Sequence, residues 1–559
     1  MTRSHGGPAL APAVRLGWQR AAVLALVTAV LFTACLVVEL QQNGEPGFPL
    51  DDSWIHLTFA HNLARGWGFA YNRGEPVAGS TAPLWTLILA FFHTFLRNAT
   101  VMVLVAKLLG AVSLFVSAVF AFRIACRETG RVWPGLAAGI AVATLGPMGW
   151  AMMSGMEVTL SVALTLAGIY LYLKFRAGRL SMLAWVLFGL AAWARPESTL
   201  LAAFAAVDSL LRRFALKQRP AFWRGFGVWL AMILGWLWFN HSLSGTLFPL
   251  TYVAKAGKTS LLTAIIVRSL PQLKGLLTVT APSYFIQFWL HLWRANPVLC
   301  LLVPAGLAGL TVSAFRRGRD GVMIPLLVLG YVPLIGVVSP SYGAAFQNGR
   351  YIGNVTALAA VVAVIGIAYI QRWIRHRAAR LGVTICLSAL AGFNAATVSA
   401  ATVRNTVAAT SSINRMHVQL GRWLSRNTPA RATLACNDVG AIGYFSDRRI
   451  FDLSGLVSRE FLGYRQNREG FMAFFRTWKP DFLVIFPAAY PGLRDAPFLE
   501  SVASATVQDN TAAVRDFPPR PKAVAGFLVL DLEVQPMPVT MTAYKCSWDL
   551  LPQPAAGAR

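Results

Sequence analysis

The chain has 559 residues, 56% of them hydrophobic and 13% charged, with a mean hydropathy of +0.54. A soluble domain is about a quarter charged, so this composition excludes an ordinary soluble enzyme and points to a polytopic membrane protein. The formal net charge is +27, but the bases fall in short clusters between apolar runs, as in cytoplasmic loops, and no basic face or aromatic–basic motif supports a nucleic-acid partner.

The N-terminal stretch "MTRSHGGPALAPAVRLGWQR" is basic and lacks acids. The apolar run from Ala21 to Leu40 follows it, longer than a signal-peptide core and without a small-residue cleavage site. "FTACLVV" resembles a lipobox, but the apolar run continues past Cys35. An uncleaved first helix with a cytoplasmic N-terminus is expected. Further apolar segments cover roughly 100–122, 133–150, 157–175, 181–194, 196–211, 224–240, 297–314, 321–338, 352–371 and 382–402. With the first helix they predict about eleven crossings. Basic clusters at Arg123–Arg131, Lys174–Arg179, Arg212–Arg224, Arg316–Arg319 and Arg372–Arg380 mark the cytoplasmic side. Pro83 to Leu96 is too short to cross and would reverse the alternation, so it is read as re-entrant or interfacial.

This topology gathers the unusual polar residues on one outer face. They fall in residues 42–82, "MSGMEV" at 153–158, "ARPES" at 194–198, the loop from His241 to about Asn296, and "SPSYGAAFQNGRY" at 339–351. The fold class is therefore an α-helical polytopic membrane protein, residues 1–402, with an extracytoplasmic α/β domain, residues 403–559. In the second part, Met416, Leu420 and Leu424 recur at helical spacing until Thr428-Pro429 stops the helix. "RATLACN", "RRIFDL" and "PDFLVIFP" read as strands. An odd number of crossings puts this domain outside. No repeat of about 20–50 residues indicates a solenoid.

Six cysteines are present. Cys35, Cys126, Cys300 and Cys386 lie in or beside apolar runs. Cys436 and Cys546 lie in the outer domain, where they are either a disulfide or two buried thiols. No Cys/His spacing indicates zinc.

The chemistry starts at Asp51 and Asp52, adjacent carboxylates just beyond the first span. Acids at a bilayer are costly, and adjacent like charges raise one pKa, which suits a general base with a tuned neighbour or a cation site. The plainer reading is a cap for the helix "DDSWIHLTFAHNLARG", which ends at Gly66. Its Trp54, Leu57 and Phe59 are expected to rest in the membrane interface. Glu157 reads either as a cavity acid or as a charge favoured at a helix start. Arg195 and Glu197 read as an ion pair across Pro196, or Arg195 as a lipid-phosphate ligand. Lys255 and Arg350 are interfacial anchors or, with Arg195, an anion site. Asn437, Asp438, Asp447 and Arg448 read as turn residues in preference to glycan ligands. Carboxylates facing cations at an outer membrane surface suit the departure of a lipid-linked phosphate while a base takes a hydroxyl proton. A transporter of a lipid-linked or envelope precursor is the alternative.

The stretch "DDSWIHLTFAHNLARGWGFAYNRGEPVAGSTAPLW" resembles the first outer loop of bacterial GT-C glycosyltransferases, closest to the mycobacterial arabinofuranosyltransferase-like branch. "SGMEV", "ARPES", "GTLFPLTYVAK" and "GRYIGN" are similar to further family motifs in the same order, and "NDVGAIGYFSDRRIFDLSGLV" to a segment of the outer domain. The resemblance implies a polyprenyl-phosphate sugar donor, inverting transfer to a glycan, lipid or protein acceptor outside a bacterial cytoplasmic membrane, and arabinofuranose as a candidate sugar. It implies Asp51 as base and Asp52 as its orienting neighbour. Arg195, Lys255 and Arg350 would hold the donor phosphate. Glu157, His56, Glu197 and Tyr252 would line the cavity toward the acceptor. A divalent cation, held in that case by Asp51, Asp52 and Glu157, is left open as a cofactor. Trp54 stands where the family has Tyr, His61 where it has Arg, and Leu250 where it has Asn, departures that bear on sugar and lipid choice.

Overall fold

The computed structural model describes residues 16–175, 179–214, 222–256, 269–317, 322–338, 343–464, 468–490, 493, 496–509, 521–524, 527–530 and 537–550. Helix α1, Trp18–Asn43, ends where Gly44 turns left-handed at φ 73°. The chain then doubles back, and the Gly47 amide donates to Glu39 Oε1 at 2.8 Å. Glu39 also pairs with Lys107 of helix α4, Ala99–Thr129, and neither side chain is exposed. A charge this deep in an apolar helix bundle needs such a partner. The pair fixes where the acidic loop leaves α1.

Helix α2, Asp52–Ala64, is buried on nearly all sides. Its Trp54 stacks edge-on against Phe48 and Phe445, and Leu57 and Phe59 have no exposed surface. The expected interfacial helix is instead an interior one. Its polar side chains find partners inside, His56 at Ser80 and Glu157, and Asn62 at the carbonyls of Ala70 and Tyr71, so it can bury all round when protein covers both sides. Here the membrane helices lie below it and the α/β domain above. Helix α3, Pro83–Phe95, has 13 residues and spans about 20 Å, short of the roughly 30 Å hydrocarbon layer. It packs Trp85 and Leu89 inward and leaves Leu87, Phe91 and Phe95 outward.

Among the described residues, six helices are long and apolar enough to cross a membrane. A seventh span results if Val132–Ala143 and Gly146–Met153, bent by 54°, are one. Four shorter apolar helices include Val158–Lys174, Met182–Ala194 and Met323–Val338. Gly353–Trp373 is the central helix, with 89% of its apolar window buried. It meets Pro297–Arg317 through small residues. A Cβ on Gly306 would lie 2.0 Å from the Val362 carbonyl oxygen, and one on Gly366 2.5 Å from that of Leu302. Glycine lets membrane helices approach closely.

The last of these helices, Arg377–Asn427, runs 51 residues without a break into the C-terminal α/β domain. Thr428 ends it, as Thr-Pro predicts. The domain carries strands β1 Thr433–Cys436, β2 Arg449–Asp452, β3 Phe482–Ile485, β4 Leu499–Asp509, β5 Pro521–Val524, β6 Phe527–Leu530 and β7 Met537–Cys546. The main sheet has the order β2-β1-β3-β7-β4, and β5 and β6 form a separate hairpin. β1 runs parallel to β2 and β3, while β7 runs antiparallel to β3 and β4.

One sheet face and the first outer loop share a core. Ile55, Phe59, Phe69 and Tyr71 pack with Leu434, Ile442, Val484 and Met541. The Asn72 side chain accepts from the Ile450 amide at 2.9 Å and donates to the Ile450 carbonyl at 3.0 Å. It thereby covers the free edge of β2.

Of the two readings left open for Cys436 and Cys546, the structure has the second: both are free thiols. Cys436 pairs in register with Val484, whereas Cys546 donates its amide to the Asp481 carbonyl at 3.0 Å. They sit two strands apart at opposite strand ends. Strand spacings put them about 10 Å or more from one another, beyond the roughly 7 Å Cα reach of a disulfide.

Candidate active site

Two cavities meet at Asp52. The larger, about 520 Å³, lies between the membrane helices and the outer domain and is lined by Asp51, Asp52, Lys255, Arg350, His417 and Asp438, among others. The smaller, about 70 Å³, lies beneath it and is lined by Asp52, His56, Glu157, Arg195, Glu197, Tyr252, Lys255, Arg350 and Tyr351. Every cavity and phosphate residue expected from the sequence faces the smaller space. Asp51 faces only the larger one.

The adjacent aspartates point to different partners. Asp51 gives both oxygens to the α/β domain, accepting from the Gly440 amide at 2.6 Å and the Ala441 amide at 2.8 Å. These amides open the helix Gly440–Ser446 and have no partner within it. A side chain on Gly440 would collide with Asp51, its Cβ 1.9 Å from the Asp51 carbonyl oxygen. Burial pushes the Asp51 carboxyl up to about 6, against the pull of the nearby His417 charge. Asp52 pairs with Arg350 at 2.9 Å. Burial would raise Asp52 too, but Arg350 and then Lys255 outweigh it and hold the carboxyl at about 2.

A charged chain lines the smaller cavity. Glu157 Oε1 accepts from Arg195 at 2.6 Å, and its Oε2 lies 3.4 Å from His56 Nε2. His56 is oriented by Ser80, 3.0 Å from its Nδ1, and Ser80 in turn by Thr86 at 2.9 Å. Burial opposes the Glu157 charge, but Arg195 and His56 hold the carboxyl at about 2. Arg195 Nε lies 3.5 Å from Glu197, the ion pair expected across Pro196. The Arg195 and Arg350 guanidiniums both lie over the Tyr351 ring, at 5.1 and 5.0 Å, and Arg350 also donates to the Tyr351 hydroxyl at 3.0 Å. Burial would raise that phenol, yet Arg350 and Lys255 turn its pKa downward. Such stacking suits a guanidinium that must keep its charge away from bulk water.

Lys255 reaches the cavity on the short helix Leu250–Ala256. That helix is fastened to the first outer loop: Leu250 donates to the Ala78 carbonyl at 2.9 Å, and Thr251 to that of Gly79 at 2.7 Å. Tyr252 donates to the Val338 carbonyl at 3.0 Å.

The possible cation set Asp51, Asp52 and Glu157 does not converge. One carboxylate serves the Gly440 helix, one Arg350, and one Arg195 with His56. Among the described residues, no three His, Cys, Asp or Glu side chains are grouped to hold a metal ion. The donor arrangement therefore does not fit a divalent ion.

The sequence reading missed His417. Its Nε2 lies 3.0 Å from Asp438 Oδ2, and both line the larger cavity beside Asp51. Asp438, read as a turn residue, is thus a cavity residue as well.

Comparison with known proteins bears on this arrangement. Residues 406–530 match a domain of unknown function, DUF8728. No curated protein sequence matches the chain. Among solved structures, the chain is similar to ArnT from Cupriavidus metallidurans bound to undecaprenyl phosphate, with TM-score 0.56 and 9% identity over 94% of this chain and 98% of that one. It is also similar to the archaeal oligosaccharyltransferase AglB from Archaeoglobus fulgidus, in complex with an inhibitory peptide and a dolichol-phosphate, with TM-score 0.55 and 10% identity over 85% and 70%. The fold is that of GT-C membrane enzymes, with a C-terminal α/β domain, and the protein is a multi-pass membrane protein.

Proposed function

We propose that this protein is a GT-C glycosyltransferase that moves one sugar from a polyprenyl-phosphate donor to an extracytoplasmic glycan, lipid or protein. The convergence of Asp52, Arg195, Lys255 and Arg350 on one cavity beneath the outer domain carries this reading. The fold likeness to proteins seen with undecaprenyl phosphate and dolichol-phosphate supports it. In this reading the membrane is a bacterial cytoplasmic membrane, the N-terminus is cytoplasmic and the α/β domain lies outside. Arabinofuranose is the candidate sugar, on the loop resemblance alone.

Arg350, Lys255 and Arg195 receive the donor phosphate, and the acceptor enters through the larger cavity. Asp52 takes the acceptor's hydroxyl proton, because it alone of the two aspartates lines both spaces. The acceptor oxygen bonds to the anomeric carbon, the bond from that carbon to the phosphate oxygen breaks, and the lipid phosphate leaves with its charge against the three cations. The donor phosphate draws Arg350 away from Asp52, which makes Asp52 a stronger base only once donor is bound. Asp51 acts through position, holding the outer domain over the site. The elevated Asp51 pKa favours a second assignment, with Asp51 itself as the base.

The test uses purified protein in proteoliposomes with radiolabelled polyprenyl-phosphate sugars and a membrane-glycan extract. Transfer by wild type, lost in well-folded Asp52→Asn and only partly reduced in Asp51→Asn, is the expected result. Loss only in Asp51→Asn moves the base to that residue. No transfer or donor hydrolysis with any sugar overturns the enzyme reading.

A further inference from the structure

A third cavity, about 550 Å³, lies apart from the site just described, between the far side of α2, the loop after it and the outer domain. Five arginines line it, Arg65, Arg73, Arg97, Arg448 and Arg449, against two acids, Glu75 and Asp447. Both acids are already committed. Asp447 pairs with Arg73, and Glu75 accepts from Arg449 at 2.6 Å. Arg448 spends its donors on the carbonyls of Ser425, Ser446 and Thr428 at 2.8–2.9 Å. Among the described residues, no carboxylate pairs with Arg65 or Arg97. Burial first, then His93 and Arg65, hold His61 at about 4, so that ring adds no charge at neutral pH. The cavity thus keeps two solvent-exposed guanidiniums that no described carboxylate neutralises.

Its position relative to the apolar surface is informative. Arg97 sits in the turn between α3 and α4. On one side α3 presents Phe91 and Phe95 outward, 62% and 70% exposed; on the other α4 presents Val101 and Leu108. In a membrane protein, such a strip faces acyl chains. Trp67, with the Arg73 guanidinium 4.3 Å over its ring, and Tyr444 line the cavity as well. Amphipathic aromatics of this kind favour the headgroup level.

We propose that this cavity binds the phosphate of an anionic membrane phospholipid, with Arg65 and Arg97 as its ligands and the acyl chains lying along Phe91, Phe95 and Val101. Guanidinium and phosphate match in charge and geometry. The bound lipid fills the seam between the first outer loop and the α/β domain. The proposal does not depend on the assignment of a reaction.

Native mass spectrometry of the delipidated full chain in detergent tests it, with dioleoyl phosphatidylglycerol and dioleoyl phosphatidylcholine supplied equally. Wild type is expected to retain phosphatidylglycerol about tenfold over phosphatidylcholine, the ratio given by about 1.4 kcal/mol. Arg65→Gln/Arg97→Gln should bring that ratio near one, and Arg65→Lys/Arg97→Lys should restore part of it. The single variants serve if the double one does not fold, Arg65 and Arg97 both being exposed. An unchanged ratio in the Gln variants overturns the proposal. So does loss of the preference on adding millimolar inorganic phosphate, which would mark a free-anion site. Binding of an acidic oligosaccharide such as oligogalacturonate in place of phosphatidylglycerol, lost in the Gln variants, also overturns it and makes the cavity a glycan site.

Discussion

Asp51 and Gly440 lie 389 residues apart in sequence, yet the Asp51 carboxylate accepts from the Gly440 amide at 2.6 Å. The contact ties the acidic loop to the first turn of a helix in the outer domain, and only glycine leaves room for it. Gly440→Ala is expected to push the helix away and break both amide bonds to Asp51. Overpacking of this kind costs about 1–3 kcal/mol. Thermal unfolding in detergent should show the loss, and transfer activity should fall with it, because the roof of the larger cavity moves. Unchanged stability and activity would refute the tie.

The two aspartates differ in their expected pH signature. Asp52, held at about 2, stays ionised across the working range, so kcat/KM should be flat from about pH 5 to 8 as far as the base is concerned. Asp52→Asn should lower turnover by about 10²–10⁴-fold. With Asp51 as base, the rate would instead rise about tenfold per pH unit up to its value near 6 and level off above it. A stability readout is independent of turnover. The native Asp51 keeps its proton to higher pH than an unfolded aspartate, so raising the pH from about 4 to 6 costs stability at this residue. Asp51→Asn should remove that slope.

Much of this site is legible in the sequence for one reason. In so apolar a chain, a buried charge beside the apolar segments needs a partner, and Asp52, Glu157, Arg195, Lys255 and Arg350 line one small space. The apolar segments likewise appear as helices, and β1, β2 and β3 fall where short apolar runs put them. What escaped depends on tertiary cover. Trp54, Leu57 and Phe59 look like an interfacial helix until the α/β domain is laid over them. His417 reads as one more polar residue on an amphipathic helix, and only the chain reversal after Thr428 brings Asp438 to it. The long strands β4 and β7 pair with each other across an intervening stretch of chain, and that pairing has no local signature.

The outer-domain cysteines offer a simple check. Cys436 and Cys546 each end a strand, but β1 and β7 run in opposite directions and lie two places apart in the sheet, so alkylation of the unfolded, unreduced protein should label all six cysteines. Reducing agent should leave the melting temperature unchanged. A mass showing two thiols protected from label would mean that the sheet register differs from the one described.

The Glu157–Arg195 pair allows a structural role to be separated from a functional one. Both side chains are almost fully buried, and their atoms approach to 2.6 Å. Removing one partner leaves the other charged and desolvated, so Arg195→Met is expected to cost about 3–5 kcal/mol. Glu157→Gln should also destabilise, because Arg195 then keeps only Glu197, at 3.5 Å. The double variant Glu157→Gln/Arg195→Met should recover part of that loss, since the buried Glu157 charge goes with its partner and only Glu197 loses the weaker contact at 3.5 Å. Its transfer activity should nevertheless stay low, with the deficit in donor KM, because a cation that receives the phosphate is gone. Recovery of activity along with stability would make Arg195 a purely structural partner of Glu157 and leave the phosphate to Lys255 and Arg350.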